Sequence, residues 1–147
     1  MTADVDALFG GAPSVGDLDQ AFLFLTVSPS GAVDTCLLSR MELRPASYGL
    51  AVVVASRRAR ANLADRPVAT IVAVSGDELH TLTCEVDARL DADGAAAFAL
   101  GIRDHRRDGL GIELTPMRFQ MAERLHVEER WDRTDRLLDL LEATVSG

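Results

Sequence analysis

The sequence has few of the residues on which many small folds and sites depend. Only two of its 147 residues are cysteines and only three are histidines. Cys36 and Cys84 have no Cys-x-x-Cys spacing, so neither a disulfide framework nor a zinc site is indicated, and both are predicted to be small buried side chains. The scattered histidines, His80, His105 and His126, are predicted to lie at the surface. We therefore expect no metal site.

Positive charge is also scarce. Fifteen lysines and arginines stand against 23 acidic residues, which gives a formal net charge of -8. Nucleic-acid binding needs clustered positive charge over a broad face, so we expect no nucleic-acid partner, whereas one small anionic ligand remains compatible.

No apolar run reaches the roughly 18 residues of a membrane span, and the start lacks the pattern of a signal peptide. These absences predict a cytoplasmic protein with no membrane partner.

Glycine-rich phosphate loops and nucleophile patterns are missing as well. The glycines at 10, 11, 94, 109 and 111 form neither G-x-G-x-x-G nor a P-loop. The serines and histidines form no arrangement of nucleophile and base, so no catalytic residue is assigned.

What the sequence does contain is enough apolar material for one domain. With 48% hydrophobic residues, a chain of this length can build one core of ordinary size. Residues 1–20 hold a short helical pattern and a cluster of glycine and proline, which predicts an N-terminal appendage to a domain over 21–147.

Two hairpins are predicted in the first part of that domain. Residues 21–27 and 32–38 form β patterns around a turn with Pro29 and Gly31, and 68–74 and 81–90 form a second pair. Between the hairpins, residues 39–47 are polar and interrupted by proline, and residues 48–55 form a nearly continuous apolar strand.

The later elements are predicted from capping and periodicity. Asp91 can cap an alanine-rich helix that ends near Gly109 and packs outside the sheet as a crossover. Residues 117–128 alternate as a long strand. The final helix, capped by Asp132 or Thr134, has a leucine stripe at Leu137, Leu138 and Leu141.

These elements predict a mainly β protein with peripheral helices. About six strands joined by close hairpins leave no room for repeated crossovers, which favours a six-stranded antiparallel β-barrel over a parallel sheet. One helix is nested between the third and fourth strands.

That nested helix begins with an unusual concentration of positive charge. Ser56 is a good N-cap, and Arg57, Arg58 and Arg60 crowd the first turn, where the helix dipole disfavours cations. An anion among them would reverse this effect, because guanidinium groups and free backbone N–H groups would all point at it. The pattern therefore indicates a phosphate site. The alternative is that these arginines are only solvated helix formers.

The run from residue 21 to about residue 90 resembles the pyridoxamine 5'-phosphate oxidase-like family of FMN-binding split β-barrels. In that family a hairpin and a third strand precede a short helix that opens with S-R-K or a variant, which Ser56-Arg57-Arg58 matches. The resemblance implies a split barrel with FMN as the cofactor. It also implies two cofactor-binding segments, which comprise Ser56, Arg57, Arg58 and Asn62 on the helix and Ser39, Arg40 and Met41 after the second strand.

The same resemblance implies an FMN-dependent oxidoreductase that transfers hydride to or from a small molecule and works as a two-fold homodimer. The arginine-rich substrate segment of the oxidase itself is absent from the C-terminal region, so pyridoxamine phosphate is not the expected substrate. Two alternatives stay open. One is a relative of the same barrel class that binds a deazaflavin or haem, and the other is a flavin-binding module without catalysis.

Overall fold

One antiparallel sheet dominates the computed structural model, which describes residues 20–115, 117 and 124–146, together with Val5, Leu8 and Phe9. Its strands are β1 (Ala21–Val27), β2 (Val33–Ser39), β3 (Leu43–Ala46), β4 (Gly49–Val54), β5 (Val68–Ser75), β6 (Glu78–Ala92) and β7 (Ala95–Gly109). Two helices accompany them, α1 (Arg57–Asp65) and α2 (Arg124–Ser146). The strand order is β2-β1-β5-β6-β7-β4-β3, and the sheet curls into a half-barrel. The predicted fold class is confirmed, with seven described strands instead of six and α1 after the fourth strand.

The additional strand is β3, which lies in the polar, proline-interrupted segment 39–47, where no strand was predicted. Leu43 pairs with Val52, and Pro45 lies opposite Leu50. A proline cannot donate a backbone hydrogen bond, but β3 is an edge strand and needs donors on one side only. The edge position is therefore what allows a strand to contain Pro45.

The predicted alanine-rich helix is wrong, because this segment is strand β7. Strands β6 and β7 pair from Glu78 opposite Gly109 to Ala92 opposite Ala95, around a turn in which Gly94 has a φ of 78°. Asp91 is therefore no helix cap. All residues from Ala95 to Leu100 are buried, and this burial on both faces outweighs the helix propensity of alanine.

The concave face of the sheet holds the main core. Alternate residues of the strands point into it, and α1 closes it through Ala59 and Leu63. Its largest fully buried side chains are Phe9, Phe22, Phe24, Leu38, Leu43, Leu50, Ile71, Leu82, Phe98 and Leu100. Phe9 packs edge-on against Phe22, with ring centroids 5.1 Å apart.

The division into an appendage and a domain at residue 20 stays a prediction.

Helix α2 covers part of the convex face. The predicted stripe is confirmed, since Leu137, Leu138 and Leu141 are buried against alanines of β4 and β7. The helix begins at Arg124, so Asp132 and Thr134 lie inside it and neither is its N-cap residue. Thr134 is instead buried.

The same helix corrects the strand predicted over residues 117–128. Its last five residues belong to α2, and residues 118–123 lie outside the described part of the chain. The helix begins well before the leucine stripe. The alternation of apolar and polar residues in this segment did not distinguish a helix from a strand. None of the described helices is long and apolar enough to cross a membrane.

The strand predicted over residues 81–90 is confirmed as part of β6, and its apolar row changes face once. Leu82 and Cys84 belong to the concave core, whereas Ala88 and Leu90 pack beneath α2. A β-bulge between Val86 and Ala88 shifts the register at this point. Because a bulge inserts one extra residue, it transfers the apolar row from one face of the sheet to the other.

Candidate functional site

The start of α1 has the geometry that the sequence predicted. Ser56 is the N-cap, and its Oγ accepts a hydrogen bond from the backbone N–H of Ala59 at 3.2 Å. The first turn contains no acidic residue. The backbone N–H groups of Arg57 and Arg58 have no acceptor within the helix, because the first turn of any helix leaves its donors free. The positive end of α1 thus carries both free donors and arginines.

A cavity of about 210 Å³ lies between this helix start and the first two strands. One wall comes from β1 and β2 and the other from α1. The lining residues are Thr26, Asp34, Thr35, Cys36, Ser56, Arg58 and Ala59. Three of them carry hydroxyl groups, which can both donate and accept hydrogen bonds. The cavity is thus a polar pocket at the positive end of a helix.

The three arginines of the first turn have different surroundings. Arg58 lines the cavity with 78% of its side chain exposed, and its Nη1 lies 3.7 Å from Asp34 Oδ1. Arg57 is exposed and does not line the cavity, and it forms no ion pair with any described residue. Arg60 turns back toward β4, where its Nη2 donates to the carbonyl oxygen of Ala55 at 3.3 Å. Arg58 is therefore the arginine best placed to meet a ligand in the cavity.

Asn62 does not line the cavity but forms hydrogen bonds with two residues that do. It is buried, and its Nδ2 donates to Thr26 Oγ1 at 3.0 Å and to Asp34 Oδ2 at 2.8 Å. These bonds join α1 to both β1 and β2. Since both amide hydrogens already have acceptors, direct contact between Asn62 and a cofactor stays a prediction.

The second predicted segment, Ser39-Arg40-Met41, does not line the cavity. The backbone N–H of Ser39 donates to Glu42 Oε1 at 2.8 Å, and that of Arg40 donates to the carbonyl oxygen of Gln20 at 3.1 Å. Arg40 is buried, and the buried Ser39 Oγ has no hydrogen-bond partner among the described residues. The structure therefore brings Ser56 and Arg58 together, with Asn62 behind them. The cofactor role of residues 39–41 stays a prediction.

Sequence reasoning missed Asp34, which faces the same cavity as Arg58. The available signal was the alternation of β2, where Asp34, Cys36 and Leu38 are more buried than Val33 and Leu37. An acidic residue in the inward row of a strand needs partners, and here Arg58 and Asn62 supply them.

The thiol of Cys36 lines the cavity but is poorly ionised. Burial, with a smaller contribution from Glu42, raises the pKa of Cys36 to about 11, and burial raises the pKa of Cys84 to about 12. Because the thiolate is the nucleophile, iodoacetamide should alkylate both thiols slowly at pH 8, and the rate at Cys36 should rise up to about pH 11. Mass spectrometry, with Cys36→Ser as the control, assigns the site. Reaction of Cys36 at pH 8 as fast as in the urea-unfolded chain would contradict this.

One histidine departs from its predicted surface position. His80 is buried, because it belongs to the same inward row of β6 as Leu82 and Cys84. Its Nδ1 lies 2.9 Å from His105 Nε2. Among the described residues, no group of three or more histidine, cysteine or acidic side chains is arranged to hold a metal ion.

The fold resembles those of known reductases. No protein-family model and no curated protein sequence matches the chain. A solved F420 reductase is 10% identical, covers 69% of this chain and 94% of its own, and superposes with a TM-score of 0.52. The styrene monooxygenase flavin reductase (SMOB) from Pseudomonas putida S12 is also 10% identical, covers 60% of this chain and 78% of its own, and gives a TM-score of 0.51. The chain shares its fold with these two proteins.

Proposed function

We propose that the protein is a flavin-binding oxidoreductase that holds the phosphate of its cofactor at the start of α1. The observation that carries this proposal is the position of Ser56 and Arg58 on a polar cavity at the positive end of a helix. An anion there meets free backbone donors, a guanidinium group and hydroxyl groups together. The fold shared with a flavin reductase and an F420 reductase adds support.

The residues present fit a flavin phosphate. The cavity of about 210 Å³ accommodates a phosphate group and part of a ribityl chain, but a three-ring flavin needs further surface. Val33 and Leu37 on the adjoining strand β2 are exposed apolar side chains, but they alternate with Asp34 and Cys36 and so lie on the face of the strand away from the cavity. Arg57 is exposed on the same helical turn and adds a second positive charge to the start of α1.

The flavin supplies the hydride chemistry when it is bound, and the chain supplies binding and orientation. Arg58 and the N-terminal backbone donors of α1 hold the phosphate, and Asn62 keeps the opposite wall in place through Thr26 and Asp34. FMN is the smallest flavin that carries this phosphate and is the first ligand to test. A deazaflavin is the second candidate, because F420 is a deazaflavin and the fold matches that of an F420 reductase.

We also propose that two copies of the chain form a homodimer. Strand β2 is an edge of the sheet and one wall of the cavity, and it exposes the apolar side chains of Val33 and Leu37. An edge strand with exposed apolar residues is normally covered. Analytical ultracentrifugation tests the proposal, and a strictly monomeric protein in the presence of FMN would contradict it.

Titration of the purified protein with FMN and with riboflavin tests the function. We expect FMN to bind at least about tenfold more tightly, because only FMN carries the phosphate that Arg58 can bind. Flavin fluorescence provides the dissociation constants. Oxidation of a reduced nicotinamide in the presence of FMN then supports an enzyme, and binding without turnover supports a flavin-binding module. If neither flavin binds and F420 does not bind either, the proposed function is wrong.

A further inference from the structure

The cavity that contains Arg58 also contains a carboxylate in a fixed position. Asp34 Oδ1 lies 3.7 Å from Arg58 Nη1, and Asp34 Oδ2 accepts a hydrogen bond from the buried Asn62 at 2.8 Å. Only 23% of the Asp34 side chain is exposed. A ligand phosphate in this cavity must therefore share Arg58 with a neighbouring negative charge.

We propose that Asp34 reduces the advantage that a phosphate with two negative charges has over a phosphate with one at this site. This inference rests on the proposed function. The lining side chains carry one positive charge on Arg58 and one negative charge on Asp34, and the others are neutral. The helix start adds about half a positive charge, and the exposed Arg57 adds another charge farther out. Without Asp34 the site would be more positive by one full charge, so Asp34 reduces the attraction for each negative charge of the ligand.

The distinction separates two chemical classes of ligand. A phosphate monoester such as FMN has a second ionisation near pH 6 and carries close to two negative charges above neutral pH, as phosphorylated side chains do. A phosphodiester has no second proton to lose and carries one charge per phosphate. Asp34 should therefore weaken the binding of phosphate monoesters more than that of cofactors whose phosphate is esterified on both sides, as in flavin dinucleotides and the deazaflavin F420.

Three ligands with the same flavin ring and different charges test the proposal at pH 7.5. Riboflavin has no phosphate, riboflavin 4',5'-cyclic phosphate has one negative charge, and FMN has nearly two. In Asp34→Asn the amide oxygen can still accept the hydrogen bond from Asn62, so the wall is kept while the charge is removed. Because a Coulomb energy is proportional to ligand charge, this variant should bind FMN about tenfold and the cyclic phosphate about threefold more tightly, with riboflavin unchanged.

The matched control is Asp65→Asn, which removes the same charge from an exposed position at the other end of α1. It should leave all three dissociation constants unchanged. Equal changes for all three ligands in Asp34→Asn, or no change for FMN, would overturn the selectivity. If that variant fails to fold, the wild-type series decides alone. The gain from riboflavin to the cyclic phosphate must then exceed the gain from the cyclic phosphate to FMN, and the reverse order overturns the proposal.

The same titrations separate this inference from the function on which it rests. If the wild-type protein binds no flavin of any charge and no F420, the proposed function fails. If it binds flavins without the expected dependence on charge, only the role of Asp34 fails.

Discussion

Replacing Arg58 with alanine should weaken FMN binding about a hundredfold, because a charge-assisted contact with the phosphate is lost and Asp34 is left as an unpaired carboxylate in the same cavity. Both effects oppose an anionic ligand. Titration by flavin fluorescence provides the dissociation constant, and circular dichroism checks that the fold is retained. Riboflavin should bind the variant as it binds the wild type, since it has no phosphate.

Two further arginine variants show whether position or total charge matters. Arg57→Ala should weaken FMN binding by at most about fivefold, because Arg57 is exposed and does not line the cavity. Arg106→Ala is the matched control, since Arg106 is exposed and paired with Asp108 at 3.3 Å on β7, away from the cavity lining. It should leave FMN binding unchanged. A dissociation constant for Arg58→Ala within twofold of the wild type would place the phosphate elsewhere.

Replacing Gly49 with alanine should destabilise the fold by at least about 3 kcal/mol. Gly49 begins β4 with a φ of 135°, a backbone conformation that residues other than glycine rarely adopt. An added Cβ would also overlap the backbone carbonyl oxygen of Leu100 on the neighbouring strand β7. The clash involves backbone on both sides, so relief requires β4 and β7 to separate. Urea unfolding followed by circular dichroism measures the loss.

Gly76→Ala separates the two causes. Gly76 also has a positive φ, of 61°, but an added Cβ there meets no atom within 4 Å. This variant should lose only about 1 kcal/mol, from the backbone conformation alone. If both variants lose the same stability, the close approach between β4 and β7 does not constrain Gly49.

The elements that could be predicted from the sequence are those with strong local signals. Pro29 and Gly31 indicated the first hairpin, and it forms with Ala21 opposite Ser39 and Val27 opposite Val33. Ser56 indicated the start of α1, and Ser56 does cap it. In each case one or two residues impose a backbone conformation, so the prediction needs no knowledge of distant partners.

The errors arose where long-range contacts decide the structure. Ala95 and its neighbours favour a helix locally, but they are buried between the concave core and α2. The Asp93-Gly94 pair was the available signal for a hairpin turn, since this dipeptide suits a turn with positive φ. Strand β3 depends in the same way on its position at the sheet edge.

Only part of the cavity lining could be predicted from the sequence. Ser56 and Arg58 could be found because they lie in one short motif at a helix start. Asp34 could not be found in this way, because it lies more than 20 residues from Ser56 and Arg58 in sequence. Only the packing of β2 against α1 brings it close to them. A motif indicates the residues that attract a ligand, whereas the residue that opposes one of its charges comes from another element.

The alanines beneath α2 have a consequence for the entropy of folding. Ala95, Ala97 and Ala99 present the surface of β7 on which the leucines of the helix pack. Alanine has no side-chain rotamers, so its burial freezes no side-chain motion. When the helix packs on the sheet, side-chain conformational entropy is therefore lost only by the leucines. This smaller loss partly compensates for the small apolar area that each alanine contributes.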